Sequence, residues 1–100
     1  MTLEELTANM ASRVAEKGGI DGKIVKFDLT DDGVITIDGT ASPAAVTNED
    51  VDADCTVSLT KDTFEAVASG EETAQMAFMS GKLKVDGDMG IAMQLGSILG

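Results

Sequence analysis

One hundred residues make one domain of common size, with a single core and little more. A net charge of −11, from 18 acids and 7 bases, argues against nucleic acid, whose phosphates require a basic footprint. It argues as well against tight docking on anionic membranes, leaving at most transient contact.

A hydrophobic content of 43% excludes a disordered tail. No apolar run reaches the roughly 18 residues of a membrane-spanning helix. The start, Met-Thr-Leu-Glu-Glu-Leu, has no basic n-region, so no signal peptide is expected. One cysteine cannot close an internal disulfide, and a reducing, cytoplasmic setting is the default. Six Met stand beside only three Phe, with no Trp or Tyr. Methionine fills irregular space and adapts to varied partners.

Residues 3 to 17 read as a helix, since Leu3, Leu6, Met10 and Val14 recur at helical spacing. Thr2 and Glu5 form a capping box, and Gly18-Gly19 ends the element. A hairpin follows. Val25, Phe27 and Leu29 alternate with Lys26, Asp28 and Thr30, and Ile35 and Ile37 alternate with Val34, Thr36 and Asp38. Asp31-Asp32-Gly33 between them is a tight-turn signal. A weak third strand covers residues 43 to 47, and the acidic run "NEDVDAD" reads as a solvated loop. Cys55, Val57 and Leu59 alternate with Thr56 and Ser58 in a fourth strand.

Thr60 caps a helix with Phe64, Val67 and Ala68 as its buried stripe and Gly70 as its stop. "TAQMAFM" is a short helix ended by Gly81, and "KLKVDG" a fifth strand with Leu83 and Val85 inward. Residues 88 to 99 form a last helix behind Asp88, apolar almost all the way round. A surface helix has one apolar stripe and one polar face, so this one has a second face to explain. Gly90 and Gly96 inside it suggest close approach of backbone to sheet or ligand.

The order is α-β-β-β-β-α-α-β-α. One face of each strand is polar. The expectation is an α+β fold over residues 1–100, with a single five-stranded, mostly antiparallel sheet, wet on one side and covered by helices on the other.

Catalytic chemistry is thin. With no histidine, Ser-His-Asp and Cys-His mechanisms are excluded, and so are most catalytic zinc sites. Cys55 shares the apolar face with Val57 and Leu59 and has no evident base, so an inert thiol is expected. A calcium loop beginning at Asp50 fails, because its sixth and twelfth positions hold Cys55 and Lys61. Only weak surface cation binding stays open. No cofactor and no enzymatic activity of its own are expected.

"ADCTVSLTKDTFEAVASG", residues 53 to 70, and "MAFMSGKLKVDGDMGIAMQL", residues 76 to 95, closely resemble the sterol carrier protein type-two domain family. The resemblance covers about half of the chain. It implies a five-stranded sheet under helices with an apolar tunnel between them. It also implies non-covalent binding and transfer of fatty acids, sterols, phospholipids or acyl-CoA. By that resemblance Ala77-Phe78-Met79 and Met89-Gly90-Ile91-Ala92-Met93 lie where ligand approaches. With the inward apolar positions, the expected tunnel wall is Phe27, Ile35, Ile37, Phe64, Val67, Met76, Phe78, Met79, Met89, Ile91, Met93 and Ile98.

The sequence departs from the family at Asp88, usually Asn, at Gln94, often Lys, and at Met79, commonly a second aromatic. The extra acids and missing lysine disfavour acyl-CoA against a neutral lipid or fatty acid. Gly100 follows the last helix without the peroxisomal Ser-Lys-Leu-like ending of some relatives. A monomer is expected. Two other readings stand beside the carrier. One is an interaction domain using the apolar last helix. The other is an accessory domain presenting lipid to a separate enzyme.

Overall fold

The computed structural model describes residues 2–18, 20, 22–30, 32–41, 44–91 and 93–94. Helix α1 spans Leu3–Lys17 and begins at a capping box. Thr2 Oγ1 accepts from the Glu5 amide at 3.2 Å, and Glu5 Oε1 accepts from the Thr2 amide at 3.1 Å. Its core-facing side is Leu6, Met10 and Val14. Strands β1 (Ile24–Asp28), β2 (Val34–Asp38), β3 (Ala45–Thr47) and β4 (Cys55–Leu59) follow. Helix α2 (Lys61–Ser69), helix α3 (Ala74–Met79) and strand β5 (Leu83–Gly87) come next. Beyond β5, residues 89–91, 93 and 94 are helical. Asp88 caps them through Oδ1, which accepts from the Gly90 amide at 2.8 Å.

The five strands form one sheet in the order β3-β2-β1-β4-β5. Three neighbouring pairs are antiparallel, and the fourth, β1 with β4, is parallel, with Phe27 opposite Val57. The apolar face carries Val25, Phe27, Ile35, Ile37, Cys55, Val57, Leu59 and Leu83 into the core. Helix α1 lies over the β3 side and α3 over β5. Phe64 of α2 meets Phe27 edge to face, with centroids 5.5 Å apart and planes at 75°, a favoured geometry for buried rings. Arg13 on α1 donates to the carbonyl of Ala68 on α2, joining the two helices across the same face.

The opposite face departs from expectation. Its polar side chains are not simply wet, because the acidic segment from 48 to 54 crosses them. Thr36 Oγ1 donates to the Glu49 carbonyl at 2.6 Å, and Thr36 is buried. Lys26 Nζ reaches Asp50 Oδ1 at 2.8 Å. At the far end Asp54 takes the Ile24 amide on its carboxylate and gives its own amide to the Ile24 carbonyl, both at 2.8 Å. The cause is topological. β3 and β4 are separated by two strands, so the connection has to cross β2 and β1, and that face offers the polar partners. The expected third strand is shorter than residues 43 to 47, and Pro43 lies outside the described residues. So do Asp31 of the expected hairpin turn and Ala92 and residues 95–99 of the expected last helix.

Two glycines sit where a side chain has no room. A Cβ on Gly39 would lie 2.0 Å from the Ile20 carbonyl oxygen and 2.6 Å from that of Lys23. On Gly87, at φ +118°, it would lie 2.4 Å from the Asp54 carbonyl oxygen. In both, the neighbour is backbone and cannot swing away. Gly39→Ala is expected to lose about 3 kcal/mol or more in urea unfolding. Gly22→Ala, at φ +74° with open space around it, should lose about 1–2 kcal/mol from backbone strain alone.

The capping box gives a pH prediction. The hydrogen bond from the Thr2 amide is the main cause holding the Glu5 carboxyl below the ordinary glutamate value. Its stabilisation is full above that ordinary value and disappears as pH falls through the lowered one. NMR titration should find the Glu5 midpoint below the ordinary value, and Thr2→Ala, which removes the hydroxyl but keeps the amide, should move it only part of the way back while costing about 1 kcal/mol.

Candidate apolar binding cleft

Three local periodicities converge beside the β5 edge. Leu83 and Val85, two apart on a strand, share one face. Gln75 and Phe78, three apart on α3, and Met89 and Met93, four apart beyond β5, each share a helical face. Together these six side chains line an open cleft of about 320 Å³. Leu83 is buried and Val85 half-buried at its floor, while Phe78, Met89 and Met93 stand exposed on its walls.

Helix α3 is held in place from below. Ala77 is fully buried, the Thr73 hydroxyl accepts from the Met76 amide at 3.0 Å, and the Ala77 carbonyl accepts from the Lys82 amide at 2.9 Å. Gly81, at φ +80°, turns the chain directly into β5. Met76 and Met79 occupy another face of α3. They line a separate depression of about 390 Å³ with Glu72, Ser80 and Lys82, where Lys82 pairs with Glu72 at 3.2 Å.

The twelve residues expected at the tunnel wall therefore divide. Phe27, Ile35, Ile37, Phe64, Val67 and Ile91 belong to the closed core. Phe78, Met89 and Met93 meet at the cleft, and Met76 and Met79 lie outside it. Ile98 is beyond the described residues. Sequence reasoning did not name Leu83, Val85 and Gln75 for the site. The alternation of the first two was legible as an inward face, but nothing marked it as accessible. For Gln75 the sequence carried no signal. Lys82, Lys84 and Asp86 face solvent. Gly90 serves another purpose than close approach to the sheet. A Cβ there would meet Asp88 Oδ1 at 3.1 Å, so the residue accommodates its own cap.

Among the described residues no lining side chain of the cleft is charged, and Gln75 is the one that can donate a hydrogen bond. Cys55 is buried on the apolar face, and burial, with Asp88 and Asp86, pushes its thiol above the ordinary range. A thiol held protonated is a poor nucleophile. Among the described residues no group of three or more His, Cys, Asp or Glu is placed to hold a metal ion. Among them, too, no helix is long and apolar enough to cross a membrane. The cleft can exclude water and accept hydrocarbon.

The chain is similar to sterol carrier protein 2 of Homo sapiens, at 46% identity over 48 residues, which are 48% of this chain and 9% of that protein. It is 48% identical over 48 residues to hydroxysteroid dehydrogenase-like protein 2 of Xenopus tropicalis, covering 48% of this chain and 12% of that one. It thus spans only a small part of the length of either relative. Its fold matches the solution structure of sterol carrier protein 2 of Aedes aegypti in complex with palmitate. There the TM-score is 0.74 at 22% identity, over 99% of this chain and 96% of that one. The model of the SCP-2 sterol transfer family matches residues 3–100. The chain belongs to the SCP-2 sterol transfer family.

Proposed function

We propose that this chain is a non-catalytic carrier that binds and transfers a hydrophobic lipid, such as a sterol or fatty acid, through the cleft beside β5. The observation that carries this reading is the cleft itself: a concave apolar surface with no charged lining group among the described residues. Burial of hydrocarbon suffices as a driving force. At about 0.8 kcal/mol per methylene, a 16-carbon chain gives roughly 12 kcal/mol before the costs of association.

The cleft is at the low end of the roughly 300–1,000 Å³ usual for ligand sites. Seating a whole lipid then requires the helical residues after Asp88 to part from β5. That movement would extend the cleft into a tunnel and bring the ligand toward Ile91, Phe64 and Phe27. In the family resemblance this is the space between helices and sheet.

The charge balance favours a neutral lipid or a fatty acid over acyl-CoA. The domain carries −11, and among the described residues no cation lines the cleft to meet phosphate groups. The likeness to the Aedes aegypti complex, whose ligand is palmitate, supports a fatty acid as one occupant. A cytoplasmic monomer fits the single shielded thiol. The match to part of hydroxysteroid dehydrogenase-like protein 2 favours a second role, presentation of lipid to an enzyme.

Native mass spectrometry of the purified protein should find co-purified lipid, and the protein should bind a fluorescent fatty acid. No lipid and no binding at tens of micromolar would overturn the reading. Phe78→Ala should weaken the probe roughly tenfold through lost burial, with little change in unfolding. Met79→Ala, in the neighbouring depression, should stay within about twofold, since burial lost outside the cleft costs the ligand little. A neutral fluorescent sterol should displace the fatty acid more effectively than an acyl-CoA does.

A further inference from the structure

Sulfur is distributed unevenly over the described residues. Cys55 and Met10 are sealed in the core, at 0% and 1% exposure. Met76, Met79, Met89 and Met93 are 59%, 77%, 50% and 81% exposed. Two of these four, Met89 and Met93, line the apolar cleft. A peroxide entering solution around this protein therefore meets thioethers at the cleft before it meets the thiol. Exposure and thiolate character decide which sulfur reacts, and Cys55 offers neither.

We propose that Met89 and Met93 are modification sites, whose oxidation to sulfoxide by a peroxide-class oxidant closes the cleft to hydrocarbon. This rests on the lipid-binding reading of the same cleft. Each reaction is balanced. The Sδ lone pair attacks the distal peroxide oxygen, the O–O bond breaks and an S–O bond forms. Sulfur gives up two electrons, and the peroxide's other oxygen leaves as water after taking up a proton. The product is a polar, chiral group in place of a flexible apolar one.

Each sulfoxide oxygen is a strong acceptor, and among the described residues Gln75 is the one lining side chain able to donate to it. Its amide carries only two N–H groups, so two sulfoxides give up most of their hydration for thin pairing once hydrocarbon displaces water. Burying such a group opposes ligand entry. Sulfoxide is reducible enzymatically, so the modification is reversible.

The test is to treat the full chain with dilute hydrogen peroxide, map sulfoxides by peptide mass spectrometry, and measure fluorescent fatty acid binding before and after. Met89 and Met93 should each gain one oxygen while Met10 stays unmodified and far-UV circular dichroism is unchanged. Affinity should fall roughly tenfold or more, the scale of burying one unpartnered polar group. In Met89→Leu/Met93→Leu, whatever its starting affinity, peroxide should leave binding unaltered, whereas Met76→Leu/Met79→Leu should retain the loss.

Oxidation of Met10 at the same rate would overturn the inference. So would undiminished binding with both cleft methionines oxidised, or equal sensitivity of the two double variants. Failure of the untreated protein to bind any lipid probe would overturn the lipid reading and this inference with it. The peptide map would still report which methionines react.

Discussion

The parallel pairing of β1 with β4 organises the molecule. Antiparallel neighbours can be joined by tight turns, but parallel neighbours require the chain to travel back and cross over. Here the chain builds β2 and β3 outward from β1 and then returns over two strands to begin β4. Residues 48 to 54 make that return on the polar face, where Thr36, Lys26 and the Ile24 backbone give it partners. All helices are then left to the apolar face. The edge-to-face contact of Phe27 with Phe64 closes the centre of that layer.

Coverage thins toward β5. Helix α1 has fifteen residues and α2 nine, but α3 has only six. A helix of under two turns buries one residue fully, Ala77, and cannot cover both Leu83 and Val85. The uncovered floor becomes the cleft. Its walls are long, flexible methionines and one ring, which adapt to occupants of different outline. Discrimination by such walls is weak, because one methylene changes the burial energy little.

Local features were legible in the sequence because their causes are local. The capping box at Thr2 and Glu5, the caps at Thr60 and Asp88 and the alternation in β1 and β4 all stand in the structure as read. The parallel centre was not legible, since no residue type announces which strands become neighbours. The crossing of the polar face was missed for the same reason, and "NEDVDAD" on its own looks merely solvated. At the site, Phe64 and Phe78 are both rings at helical positions. One is sealed and the other half open because α2 lies over the sheet centre and α3 at its edge. Type and spacing mark a residue as apolar, while position in the layer decides whether a ligand can reach it.

The two ends of the sheet have a consequence for behaviour in crowded solution. Exposed thioethers and a half-open ring would make this protein self-adhesive if they adjoined a long, flat, unpaired strand, because such an edge templates intermolecular pairing. Neither edge offers one. β3 is three residues long. β5 carries Lys84 and Asp86 outward and ends at Gly87, whose φ of +118° departs from regular strand geometry. The apolar side chains thus adjoin only a short edge whose last residue breaks the regular strand. A greasy opening can then lie beside a sheet edge that offers little template for intermolecular pairing.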